Sequence, residues 1–135
     1  MTRDELQEMI LACPFHRFLG LELVDMNEAD GTVAISVTAR EEFSRSNEMV
    51  ELHGGVIASL IDIAGDYAVA LKVGRGVPTI NLRVDYLRPG RGKKAVAKAR
   101  AVRCGRTIAT VDIEVVDENK TLFAIGRGTY SSATG

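Results

Sequence analysis

The stretch LHGGVIASLIDIAGDYAVALKVG, residues 52–74, constrains this chain more than any other. It reads as one long helix entered through His53, Gly54 and Gly55, with Asp62 and Asp66 its only charges before Lys72. A helix that is apolar on every face is buried on every face, in a core or against a second molecule. A carboxylate in such a helix costs several kcal/mol, on the order of 2–7, unless a partner or a task justifies it. Two glycines at the entrance let a ligand or another backbone approach the N–H groups that a helix start leaves unpaired.

The rest of the chain supplies a sheet to cover this helix. Thr2 and Glu5 form a capping box for a short helix that ends near Pro14. Residues 18–26 then read as a strand. Residues 32–38 alternate, with Val33, Ile35 and Val37 on one face. The segment 40–51 is polar and irregular. Four strands follow the helix, over residues 79–87, 94–103, 107–116 and 121–130. Their repeating faces are Leu82, Val84 and Tyr86; Ala95, Ala97, Ala99 and Ala101; and Ala109, Val111, Ile113 and Val115. Tight turns between consecutive strands favour antiparallel pairing. The expected fold is α+β: a curved antiparallel sheet of about six strands wrapped around one long central helix, a common sheet size. A single domain over 1–135 is expected, with a frayed tail at residues 131–135.

Composition removes several classes of function. With 17 basic and 18 acidic residues the net charge is −1, which argues against general nucleic-acid binding. Two aspartates interrupt the apolar helix, so a membrane span is not expected. The start, TRDELQEM, has neither the basic nor the apolar part of a secretion signal, and a cytoplasmic protein is expected. Cys13 and Cys104 lie far apart, and His16 and His53 have no zinc spacing to them, so no metal site is expected.

Asp62 follows Gly54 by eight positions, about 12 Å along one helix. One reacting atom cannot touch both within a single protomer. Two copies of the helix, antiparallel across a two-fold axis, would bring the glycine end of each to the acid of the other. The bare N–H groups and positive dipole end suit an oxyanion forming on an acyl carbonyl. A carboxylate facing them suits deprotonation of water or direct attack. Each residue also has a structural reading. Asp62 fits an ion pair with an arginine, Gly54 and Gly55 fit close packing, and His53 fits a backbone cap. Asn47 fits a turn, Asp66 a groove or interface, and Arg83, Arg88, Arg91, Lys93 and Lys94 either a solvated edge or a phosphate site. Phe15, Phe18, Phe43 and Tyr67 fit either an aryl pocket or the core.

Asn47, six positions before His53-Gly54-Gly55, then Asp62, Thr79 and the segment TINLRVDYLRPG, together resemble the hotdog-fold acyl-CoA thioesterases, in the phenylacetate-pathway (PaaI-like) branch. The resemblance covers roughly residues 18–130. It implies a hotdog fold, dimers paired into homotetramers, active sites at the dimer interface and no cofactor. It implies that the Gly54 amide polarises the thioester carbonyl and that Asp62 acts as base or nucleophile. Asn47 and Thr79 orient water or substrate, and His53 supports the glycine loop. Gly55 and Asp66 are expected to line the substrate site, and Arg88, Arg91 and Lys93 to meet coenzyme A phosphates. A related branch carries glutamate one turn beyond the aspartate position. Gly65 and Asp66 stand there here, which favours the aspartate branch.

The implied activity is hydrolysis of aryl- or medium-chain acyl-CoA to free acid and coenzyme A. The alternatives are a noncatalytic acyl-CoA or acyl-carrier binding module and an enoyl-thioester hydratase. The hydratase reading is weakened because no histidine stands outside the His-Gly-Gly element at a suitable place. A DNA-binding regulator of this fold is remote, since about 15 residues before the first strand cannot hold a helix-turn-helix.

Overall fold

The computed structural model describes residues 1–133. Three helices and six strands follow in the order α1 (Arg3–Leu11), α2 (Pro14–Leu19), β1 (Glu22–Asn27), β2 (Thr32–Thr38), α3 (Gly54–Val73), β3 (Thr79–Tyr86), β4 (Lys94–Cys104), β5 (Ile108–Asp117) and β6 (Leu122–Ser131). The strands form one antiparallel sheet in the order β1-β2-β4-β5-β6-β3. The expected hotdog architecture is therefore present, with α3 lying across the concave face of an open sheet.

The period-2 pattern of the sequence places the core. Val33, Ile35 and Val37 of β2, Ala95, Ala97 and Ala99 of β4, and Val111, Ile113 and Val115 of β5 all point at α3 and are buried. Alanine on β4 lets the helix backbone come close. Glycine on β6 does the same: a Cβ on Gly126 would lie 2.6 Å from Cγ2 of Ile61. Gly65 performs the matching service on the helix, because the Tyr130 ring and hydroxyl fill the place where its side chain would stand. That hydroxyl donates to the main-chain oxygen of Asp62 at 3.0 Å.

One expected boundary changes. Residues 18–19 belong to α2 and not to a strand, and β1 starts at Glu22. Pro14 stands in the first turn of α2, where its missing N–H costs nothing, and Gly20 ends it with φ 68°. The two short helices supply part of the cover of α3. Tyr67 reaches Met9 O with its hydroxyl at 3.3 Å, and the buried His16 ring meets Tyr67 edge-on while its Nδ1 lies 2.9 Å from Ile10 O. The chain thus covers the C-terminal half of its own helix. Gly54, Ala58, Ser59 and Asp62 remain partly exposed.

The two sheet edges differ. Arg3 donates to Leu23 O and Val24 O, and Gln7 accepts from Leu23 N–H, so α1 covers β1. The outer edge of β3 has no strand beside it among the described residues, and Ile80 there is 57% exposed. Against the expected fraying, Ser131 ends β6 and Ser132 donates through N–H to Thr107 O and through its hydroxyl to Gly105 O. Residues 134 and 135 lie outside the described residues. Among the described residues no helix is long and apolar enough to cross a membrane.

Candidate active site

The entrance of α3 is held open by its own cap. His53 is the N-cap, and its Nδ1 accepts the Gly55 N–H at 2.9 Å, which puts the ring proton on Nε2. The His53 carbonyl accepts from Val56 and Ile57, at 2.9 and 3.3 Å, and its N–H donates to Phe43 O at 2.8 Å. The Gly54 N–H faces no acceptor among the described residues. One donor of the turn is thus tied down by the histidine and its neighbour is left bare at the positive end of a 20-residue helix.

Two clefts flank this turn and share His53 and Gly55. One, of about 540 Å³, runs from Gly54 along Tyr86, Leu87 and Arg88, with Arg45 opposite. The other, of about 270 Å³, is walled by Phe15, Phe18, Phe43, Val56 and Ser59. Phe18 and Phe43 meet edge to face at 5.8 Å, under an Arg40 guanidinium 4.1 Å from the Phe43 centroid. Ser59 turns its hydroxyl back to Gly55 O at 2.8 Å, so that it presents carbon to this cleft. Tyr67, the fourth aromatic candidate, is core. A larger hollow of about 620 Å³ on the outer face of the sheet lies among Lys98, Arg100, Asp112 and Glu114, away from the helix entrance, and its Asp112 is held by Arg127.

Two turns further on, Asp62 Oδ1 accepts the Thr79 hydroxyl at 2.6 Å. No cation lies in ion-pair range of Asp62 among the described residues. The structural reading of Asp62 as the partner of an arginine is therefore absent from the protomer. Asp66, one turn below on the same face, accepts the Val77 N–H at 2.7 Å and so fixes the lead-in to β3 two residues before Thr79. Burial raises the Asp66 pKa to about 6; the Val77 hydrogen bond pulls it down and the Asp62 charge pushes it up further.

Asn47 sits exposed in the loop before α3. Ser44 organises that loop: its hydroxyl oxygen accepts from the N–H groups of Ser46 and Glu51. Asn47 is not brought to Asp62 within the protomer, and neither is Gly54. Of the expected phosphate contacts, Arg88 lines the open cleft, Lys93 is exposed, and Arg91 is drawn to Glu51 at 3.4 Å.

Glu51 itself was not singled out from the sequence. Its side chain is 7% exposed between Arg45, at 2.7 Å, and Arg91. The hydrogen bond from Arg45 holds its carboxyl below the usual carboxylate range against the opposing effect of burial. The acid ties the loop to the β3–β4 connection beside the glycines, where Leu52 N–H also donates to Gly90 O at 2.9 Å.

Residues 51–124 match the thioesterase superfamily. The chain is 34% identical over 132 residues to the medium/long-chain acyl-CoA thioesterase YigI of Salmonella typhimurium, covering 87% of this chain and 84% of that one. The chain belongs to the thioesterase superfamily. A solved protein of the same superfamily superposes with a TM-score of 0.88 at 35% identity, over 95% of this chain and 96% of the other. A variant of the phenylacetic acid degradation protein PaaI from Thermus thermophilus superposes with a TM-score of 0.76 at 29% identity, over 88% and 98%. The segment that matches the superfamily carries the helix entrance, Asp62 and Thr79. Asn47 and the phenylalanines of the smaller cleft lie before it, in the part of this thioesterase where α2 and the preceding loop shape the surroundings of the glycine turn.

Proposed function

We propose that this chain hydrolyses acyl-CoA thioesters to a free acid and coenzyme A, at sites built from two protomers. The observation that carries the reading is the Asp62–Thr79 pair, a carboxylate oriented by a hydroxyl at 2.6 Å and, among the described residues, neutralised by no cation. An uncommitted carboxylate oxygen beside a cleft suits a base or nucleophile, and a binding module would have no need of it.

In the proposed reaction the thioester carbonyl oxygen lies against the Gly54 N–H of one protomer. Asp62 of the other protomer uses the oxygen that Thr79 leaves free. As general base it takes a proton from water as the water oxygen bonds to the carbonyl carbon. As nucleophile it forms an anhydride that water then opens. On either route the negative charge passes to the carbonyl oxygen, the C–S bond breaks, and coenzyme A leaves as thiolate. Asn47 orients water or the acyl group, and His53 keeps the glycine turn in register. Gly55 lines the substrate path. Asp66 contributes through β3 and through its charge. The aromatic cleft suits an aryl or medium-length acyl group. The cleft beside Arg88, with Lys93 and Arg91 near its turn, suits the phosphates.

The relative named as a medium/long-chain acyl-CoA thioesterase and the fold shared with PaaI support this substrate class. The bare β3 edge and the partly exposed first half of α3 support a dimer with antiparallel helices, paired into a tetramer. Coenzyme A esters and two free cysteines fit a cytoplasmic setting.

A panel of aryl-, medium- and long-chain acyl-CoA esters with free-thiol detection tests the reading. The wild type is expected to release thiol, and Asp62→Asn to lower kcat about 10³-fold. Tight binding without thiol would favour the binding module. Loss of enoyl absorbance without thiol would favour the hydratase.

A further inference from the structure

Tyr86 ends β3 beside the entrance of α3. Its hydroxyl donates to the Gly54 carbonyl at 2.8 Å. Its ring covers the Gly54 Cα: a Cβ built there would lie 3.2 to 3.3 Å from Cζ, Cε1 and Oη of this one residue. The side chain is also 53% exposed. A phenol with that much access to water needs no protein partner to satisfy its hydroxyl. Its commitment to a helix carbonyl is therefore a constraint on the helix and not a rescue of the phenol. The other bonds at this turn come from elsewhere: Leu52 to Gly90, His53 to Phe43, and the Gly55 N–H to its own neighbour His53. Among the described residues only Tyr86 joins Gly54 by a hydrogen bond to the strand whose first residue, Thr79, orients Asp62.

First turns of helices fray because their donors have no partners in the helix. A donor that stabilises charge developing on a carbonyl has to be fixed before the charge appears, or reorganisation takes back the gain. We propose that Tyr86 is a positioning residue for the reaction, holding the first turn of α3 so that the Gly54 N–H keeps its aim. The proposal rests on the reading of Gly54 as the donor to the thioester oxygen. It also gives Gly54 a second reason to be glycine, since a Cβ there would press on the tyrosine ring that tethers the turn.

Tyr86→Phe keeps the ring and removes the tether. The expected result is a fall in kcat of about tenfold with KM changed less than about twofold. A merely structural or contact role is separated by two inert ligands of one acyl length. One is a coenzyme A ketone with methylene in place of the thioester sulfur; the other is a thioether with methylene in place of the carbonyl. Wild type is expected to prefer the ketone, and Tyr86→Phe to shrink that preference about threefold by weakening the ketone alone. Unchanged kcat and unchanged preference would overturn the proposal. So would equal weakening of both ligands with a raised KM, which would make Tyr86 an ordinary wall of the cleft. The underlying reading fails differently: wild type would show no preference for the ketone, or no thiol release.

Discussion

Between residues 64 and 71 every residue of the long helix except Asp66 is buried, whereas between residues 54 and 62 it keeps one face partly open. In the second half Ala64, Ala68, Val69 and Ala70 are fully buried, Tyr130 seals Gly65, and α1 and α2 close the outside through Tyr67 and His16. In the first half Ile57, Leu60 and Ile61 are buried on the core side, while the opposite face carries hydrogen bonds at the rim, from His53, Ser59 and Tyr86, which leave the Gly54 N–H and one oxygen of Asp62 uncommitted. The contrast shows how one element can be both anchor and site. Burial of apolar area, at about 25 cal/mol per Å², fixes the rod along its core side and all round its second half. Polar groups on the open face of the first half are then free to meet a substrate without having to hold the fold.

Asp62→Asn breaks the open half, and it carries the largest expected effect: the thousandfold loss of turnover above, about 4 kcal/mol in the barrier, with the thermal midpoint nearly unchanged. Val69→Ala breaks the buried half. It removes two methyls from a fully buried side chain, and a loss of about 2 kcal/mol in urea unfolding is expected, with turnover of the folded enzyme within about threefold of wild type. A large loss of turnover in the folded Val69→Ala protein would erase the distinction between the halves. Asp66 stands at the boundary. Its pKa in the fold, about 6, lies above the ordinary 3.8, so the folded state keeps its proton while the unfolded chain has lost it, and stability falls as pH rises between those values. Asp66→Asn keeps an oxygen for the Val77 N–H and removes the charge. It is expected to stabilise the fold by about 2 kcal/mol at pH 7.5, with the gain gone below about pH 4. A gain that persists at pH 3.5 would contradict this account of Asp66.

The inward faces of β2, β4 and β5 were legible because each is a long run of period two, and α3 because 20 nearly uncharged residues follow His53 without a break. The separation of Gly54 from Asp62 was legible because helical rise is fixed. α2 escaped because six residues carry too little periodicity to stand against the strand that follows, although Pro14 and Gly20 were its punctuation. The Glu51 clamp escaped for a different reason. Arg45 is close in sequence, but Arg91 lies 40 residues away and arrives only through the crossing of β3 to the far edge of the sheet. Tyr86 and Tyr130 read as ordinary strand aromatics, and their tasks depend on which glycine each covers.

The account turns on the bare amide of one protomer working with the acid of another, and mixing two broken proteins tests it most directly. Asp62→Asn and Gly54→Val are each expected to be inactive alone while still forming the same oligomer as wild type. When the two are unfolded and refolded together, mixed dimers place both lesions in one site and leave the other intact. Activity of about a quarter of wild type is then expected, since half the dimers are mixed and each has one good site of two. A mixture no more active than its parts, in dimers shown to have exchanged, would contradict the shared site.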